Sequence, residues 1–207
     1  MAIKALETLA PVTNGAKPQI DLEQPYRVEA VITGTTPLLF HAWNNEAVAG
    51  KAKAAKGSVD KKSDNLESYV YRLPSGEIGI PAEYMRGAIV NAARYSQDPR
   101  SPRKSAMDLM KAALALSPEL ASLGKADWDY LDARRVMVQR NGITRVRPAF
   151  MPGWSCAFLI DVLLPEYVSP DFLAALVERS GKLVGVGDFR PTYGRFRVAR
   201  FDVIENL

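Results

Sequence analysis

Arg134, Arg135, Arg140, Arg145 and Arg147 fall within residues 134–147, and no acidic residue stands among them. A second concentration is the stretch GVGDFRPTYGRF, residues 185–196, where three glycines, one proline, two arginines and three aromatic residues share twelve positions. Guanidinium groups neutralise phosphates and aromatic faces stack on bases, so these residue types together have the chemistry of a nucleic-acid contact. In the second stretch Arg190 and Arg195, with Arg197 just beyond, are the phosphate candidates, and Phe189 and Tyr193 are the stacking candidates. Gly185, Gly187 and Gly194 permit positive φ and a close approach of backbone N–H groups to a phosphate. The competing reading is a plain glycine turn, its rings buried in the core and its arginines left in water.

Two further basic runs contain Lys51, Lys53 and Arg86. Residues 51–62 hold five lysines against Asp60, and residues 86–104 hold four arginines and Lys104 against Asp98. Net charge is only +4 and the pI is near 9.2, so the positive charge is concentrated locally on a nearly balanced chain. Such a distribution fits a polyanion-binding face, although solvated surface arginines and lysines produce similar runs.

Catalytic chemistry finds little to work with. His41 is the sole histidine and lies near Trp43, Asn44, Asn45 and Glu46; it reads as a polar loop residue packed beside Trp43. General acid–base work needs positioned titratable groups, and no serine or cysteine carries a nucleophile motif. Cys156 is the only cysteine, which excludes an intrachain disulfide and points to a reducing cytoplasm. With one cysteine and one histidine, a zinc site of the usual kind is out of reach. Asp127, Asp129 and Asp132 lack the spacing of a calcium loop and read as surface acids. No catalytic residue, metal or cofactor is therefore expected. The apolar stretches are too short to span a bilayer, and MAIKALETLAPVTNGAK lacks the order of a secretory signal, so no membrane partner is expected either.

The elements that must hold these residues follow from periodicity. Residues 1–24 read as an extended N-terminal arm. YRVEAVIT, residues 26–33, alternates apolar and polar positions and predicts a half-buried strand. Residues 44–67 are rich in alanine, lysine, serine and asparagine and bury too little to offset their ordering entropy, which predicts a mobile insertion. YVYRLPSGEIGI reads as a hairpin about Pro-Ser-Gly. Pro81 opens a helix whose Met85, Ala88, Ile89 and Ala92 make one apolar face. SQDPRSPRK reads as a link to a second helix over roughly 105–116. A strand is predicted at about 134–140, with Asn141-Gly142 as a hairpin turn. WSCAFLIDVLLP places Cys156, Phe158, Ile160, Val162 and Leu164 on one face of a further strand. Ser169 caps a helix with Pro170 in its first turn and Ser180-Gly181 at its end. RFRVARFDVI forms the last strand, where a slip of apolar phase at Ala199-Arg200 predicts a bulge.

The main elements run strand, helix, strand, strand, helix, strand. That is the α+β, ferredoxin-like (RRM-like) order: an antiparallel sheet with helices on one face, over a single domain at residues 25–207. The open face of such a sheet is a common RNA platform.

On that order, GVGDFRPTYGRFRV at 185–198 and IPAEYMRGAIVNAAR at 80–94 resemble the RAMP superfamily, the RNA-binding backbone subunits of CRISPR effector complexes. The resemblance covers most of the chain by topology and two short motifs by sequence, and a phage or mobile-element relative fits the same pattern. It implies that the insertion at 44–67 is a thumb-like loop. It also places His41 and Glu46 in the loop where ribonucleolytic members carry an acidic residue. The resemblance implies a cytoplasmic, non-enzymatic subunit that binds single-stranded RNA or DNA through its backbone and assembles side by side with copies of itself. A structural protein of a phage or mobile element and a metal-dependent nuclease are the other classes considered.

Overall fold

The computed structural model describes residue 21 and residues 23–42, 65–138 and 141–207, with backbone alone at 136–138 and 141–143. The expected arm and the expected insertion, with Lys51, Lys53 and Glu46, lie almost wholly outside the described residues.

Strand β1 (Tyr26–Gly34) buries Tyr26, Val28, Ala30 and Ile32, every second residue, because strand side chains alternate between faces. A two-residue strand β2 (Leu38–Leu39) follows. β3 (Tyr71–Arg72) and β4 (Ile78–Pro81) form the expected hairpin, turning at Gly76, whose φ of 87° suits glycine. Pro81 then leads directly into helix α1 (Ala82–Ala92), whose Met85, Ala88, Ile89 and Ala92 are all buried. β5 (Gln97–Asp98) and β6 (Ser101–Ser105) make a small hairpin before helix α2 (Met107–Ala113). β7 (Leu114–Ser117) and β8 (Leu120–Ser122) are short; β9 (Tyr130–Val138) and β10 (Asn141–Phe150) form a long antiparallel ribbon. β11 (Ser155–Val162), helix α3 (Pro170–Leu183) and β12 (Phe196–Asn206) complete the order.

The architecture is mixed α/β, with antiparallel sheets and three helices among the described residues. Its principal sheet has the order β12-β1-β11-β7. Each neighbouring pair runs antiparallel, and α1 and α3 contribute to one core with its buried face. Val28, Ala30, Phe158 and Ile160 from the sheet meet Met85 and Ile89 of α1 and Leu173 and Val177 of α3 in that core. At such positions each large side chain contributes roughly 1.5–3 kcal/mol over its exposed state. Ser169 caps α3 as expected, its hydroxyl accepting the Phe172 amide at 3.3 Å. Gly181 lies inside that helix against β12, where a methyl group would overlap the Phe196 carbonyl. The two elements can pack this closely only because the residue is glycine. Three smaller groupings surround this layer: β2-β10-β9, β3-β4-β8 and β5-β6.

Several sequence expectations are corrected. The second helix stops at Ala113, and Leu114–Ser117 is a strand paired with Leu159–Val162. The core strand expected at 134–140 belongs instead to the ribbon, outside the principal sheet, so β7 takes its place there. Asn141 and Gly142 are already in β10, opposite Val138 and Met137. Ser180-Gly181 precedes the end of α3, and the left-handed residue after the helix is Gly185, with φ 74°. SQDPRSPRK is the β5-β6 hairpin. The bulge in β12 falls where expected: Val31 pairs with Arg200 and Ile32 with Val198, leaving Ala199 over.

Candidate nucleic-acid interface

Register on the ribbon fixes which arginines meet. Arg147 stands opposite Asp132 and Arg145 opposite Arg134, so these four side chains share one face. That face is turned to the glycine loop. Arg134 forks onto Asp132 at 2.5 and 2.8 Å, and its guanidinium carbon lies 4.4 Å from the centre of the Tyr193 ring. Arg147 is buried, donates from Nε to Asp188 Oδ2 at 2.6 Å, and lies 4.5 Å from the centre of the Phe189 ring. Its Nη1 finds no hydrogen-bond partner among the described residues. Phe189 and Tyr193 meet edge to face at 6.4 Å. Each ring therefore carries a cation on one face, and each cation is neutralised from behind by an aspartate.

Opposed like charges destabilise a ribbon, and Arg134 opposite Arg145 is such a pair. Arg134 is offset by Asp132. Arg145 Nη1 lies 2.8 Å from His41 Nε2. A guanidinium only donates, so in this contact His41 Nε2 is the acceptor. His41 also packs edge to face on Tyr69 at 4.5 Å. Arg135 is on the opposite face of the ribbon, across from Thr144, and is exposed.

The loop is held in place by its backbone. Gly185, Gly187 and Gly194 all have positive φ, at 74°, 80° and 70°. Two of their amides are used internally: Gly185 donates to Ser180 and Gly194 to Pro37, at 2.9 and 2.8 Å. Asp188 donates to Leu39, which ties the loop to β2 at 2.9 Å. A Cβ on Gly187 would sit 2.7 Å from the Leu39 carbonyl, and one on Gly194 would overlap Val186. The glycines thus serve first to seat the loop on β2 and on itself. Phe189 is itself left-handed, with φ 57°, a conformation that costs a bulky residue about 1–3 kcal/mol. Backbone strain of that kind clusters at functional sites.

Beyond Phe189 lies an open groove of about 550 Å³ between the end of α1, the end of α3 and the loop. Arg94, Tyr95, Leu183 and Arg190 line it with Phe189. Tyr95 is 64% exposed, the most exposed of the large apolar side chains among the described residues. Sequence reasoning assigned no role to Tyr95 or Leu183; an aromatic directly after Arg94, where the apolar period of α1 ends, is the signal it passed over. Arg195 is exposed and donates to the Pro191 carbonyl at 2.7 Å, and Arg197 is exposed on β12. Arg86 lies apart. It donates to the Leu114 carbonyl at 3.2 Å and to the Lys111 carbonyl, closing the end of α2.

The open face of the principal sheet has a different character. Arg27 binds Asp161 and Glu205 at 2.6 and 2.9 Å, and Arg200 binds Glu29 and Asp202. With Arg197, opposite Thr33 on the same face, three arginines there stand among four carboxylates. Cys156 is buried, and burial pushes its thiol far above the usual range, so it is an inert core group. Asp129 accepts from Lys125 and from the Met151 amide. Among the described residues no group of three potential ligands could hold a metal ion, and no helix is long and apolar enough to cross a membrane.

No protein-family model matches the chain, and no curated protein sequence does. Among solved structures it is similar to a chain in the cryo-EM structure of the Type III-B Cmr-beta bound to cognate target RNA. The TM-score is 0.52 at 15% identity, covering 88% of this chain and 62% of that one. The present chain thus spans about three-fifths of its counterpart's length. At this identity the likeness is one of fold.

Proposed function

We propose that the protein is a non-enzymatic, RAMP-like subunit that binds single-stranded nucleic acid, RNA in the first place, and assembles side by side along the strand. The observation that carries this reading is the ribbon face, where arginines back two aromatic rings presented by a glycine loop. The fold supports it: an antiparallel sheet in the order β12-β1-β11-β7 with two packed helices fits a ferredoxin-like reading, and the similar solved chain belongs to a complex bound to target RNA. The lone, buried Cys156 suits a cytoplasmic setting. Arg190 and Arg195, exposed in the loop, hold phosphates, and Arg197, exposed on β12 opposite Thr33, is a further phosphate candidate; Phe189 and Tyr193 stack. Contacts to phosphates and ring faces read no base edges, so binding tolerates any sequence.

The test is fluorescence anisotropy with labelled single strands of equal length and varied sequence, over a series of salt concentrations. Affinity should fall steeply with salt and differ little between sequences. Binding that ignores salt, or that favours one sequence by several orders of magnitude, overturns the proposal. A phage structural protein would assemble identically after nuclease treatment, whereas this subunit should lose its long assemblies.

A further inference from the structure

We infer that the groove between α1, α3 and the glycine loop seats a single base of the bound strand, stacked on the outward face of Phe189. The inference rests on the strand-binding reading and adds a base site to it. Arg147 is buried and covers one face of the Phe189 ring at 4.5 Å, so the face left for a ligand is the one lining the groove. The ring is 36% exposed, and its strained backbone holds it there. Tyr95 supplies a second exposed ring to the lining, and Leu183, 48% exposed, adds an apolar side chain. Arg94 and Arg190, both exposed, flank these surfaces and suit the phosphates on either side of an inserted base. A groove of about 550 Å³ is within the range of small-molecule sites. An anion alone would leave both rings and Leu183 unused. A purely apolar ligand would leave two guanidinium groups unmatched. A base with its flanking phosphates uses all of them.

Arg147 has a distinct part in this site. Paired with Asp188 and closed off from solvent, it acts as a positioning residue that fixes the ring. It does not contact the strand.

The experiment compares a labelled oligoadenylate with an abasic strand of the same length and phosphate count, at one salt concentration. The wild-type protein should prefer the oligoadenylate by about fivefold to a hundredfold, the range expected for one stacked base. Tyr95→Ala and Phe189→Ala should each reduce that preference while leaving the salt slope unchanged, since neither removes a charge. Tyr95→Ala deletes an exposed ring and keeps the carbonyl that binds Arg179, so it remains informative even if Phe189→Ala disturbs the loop. Equal wild-type affinity for the two strands overturns the base site and the stacking role of the rings, and leaves strand binding through phosphates standing. A preference undiminished in both variants also overturns it, because the base then stacks elsewhere. If neither strand binds, the strand-binding reading fails and the base site with it.

Discussion

Arg147 shows how much a residue's role depends on a partner far along the chain. Sequence presents it as one of five arginines suited to phosphates; the fold places Asp188, 41 positions away, against its Nε and closes it from water. Arg134 is likewise held by Asp132 under Tyr193. The two kinds of arginine should separate experimentally. Arg190→Ala and Arg195→Ala each remove an exposed charge, and each should lower the salt slope by roughly 0.7 if it holds one phosphate of a single strand. Arg147→Ala should weaken binding by loosening Phe189 while leaving the slope almost unchanged, and it should lower the melting temperature because Asp188 loses its partner. Anisotropy titrations at several salt concentrations, with thermal melts of each variant, check both statements. A slope change for Arg147→Ala equal to that for Arg190→Ala would make it a phosphate contact after all. The rings, the glycines and the exposed arginines were legible because local composition announces them. The pairing of Arg147 with Asp188 and the placing of Arg86 at the end of α2 were not, since no local pattern encodes a contact between distant segments.

Elements with a strong local period were legible in the same way: the alternation of β1, the apolar face of α1, the Ser169 cap and the bulge at Ala199. β7 was not. Its Leu114 and Ala115 follow α2 without a break, and both residue types favour helix, so only pairing with Leu159–Val162 makes them a strand. Helix packing yields a paired prediction. Gly181→Ala forces α3 away from the Phe196 carbonyl and should cost on the order of 1–3 kcal/mol. Gly87→Ala places its methyl in open space within α1 and should stabilise by about 1 kcal/mol. Denaturant unfolding distinguishes them, and equal effects would contradict the packing described. The β5-β6 hairpin has its own signature. The Arg100 guanidinium binds both oxygens of Asp98 at 3.0 and 2.8 Å, and the Arg100 amide binds at 2.9 Å. Against the opposing effect of burial, these bonds hold the Asp98 carboxyl down to about 2. Its folded value lies below the unfolded value of about 3.9, so the stabilisation is complete above that pH and is lost as pH falls towards 2. Amide protection factors in residues 97–105, taken relative to intrinsic exchange at each pH, should therefore fall below about pH 4, and Asp98→Asn should remove that acid dependence while making the hairpin looser at neutral pH.

At the scale of the whole molecule, the question is which side of the principal sheet meets the strand. The open face of an antiparallel sheet is a common RNA platform, whereas the residue types in the sequence pointed to the arginine run and the glycine loop. The side chains argue for the second location. On the open face, Arg27 and Arg200 are engaged by Asp161, Glu205, Glu29 and Asp202, and with Arg197, set opposite Thr33 on the same face, three arginines stand among four carboxylates. A polyanion approaching there meets net repulsion and would have to break existing ion pairs. Around the ribbon and loop, the acids Asp132 and Asp188 are tied to Arg134 and Arg147, while Arg94, Arg190 and Arg195 are exposed with Phe189 and Tyr95 between them. Ultraviolet cross-linking of a bound single strand, followed by mass spectrometry of the peptides, reads the path directly. Cross-links should fall in residues 91–96 and 186–197, which carry Tyr95, Phe189 and Tyr193. Arg27→Ala and Arg200→Ala should leave affinity and salt slope unchanged while modestly lowering stability, since partly exposed ion pairs contribute about 1 kcal/mol or less. Cross-links confined to residues 26–34 and 155–162, with affinity lost in Arg27→Ala, would move the strand to the open face. The ribbon arginines would then be fixing the loop for packing alone.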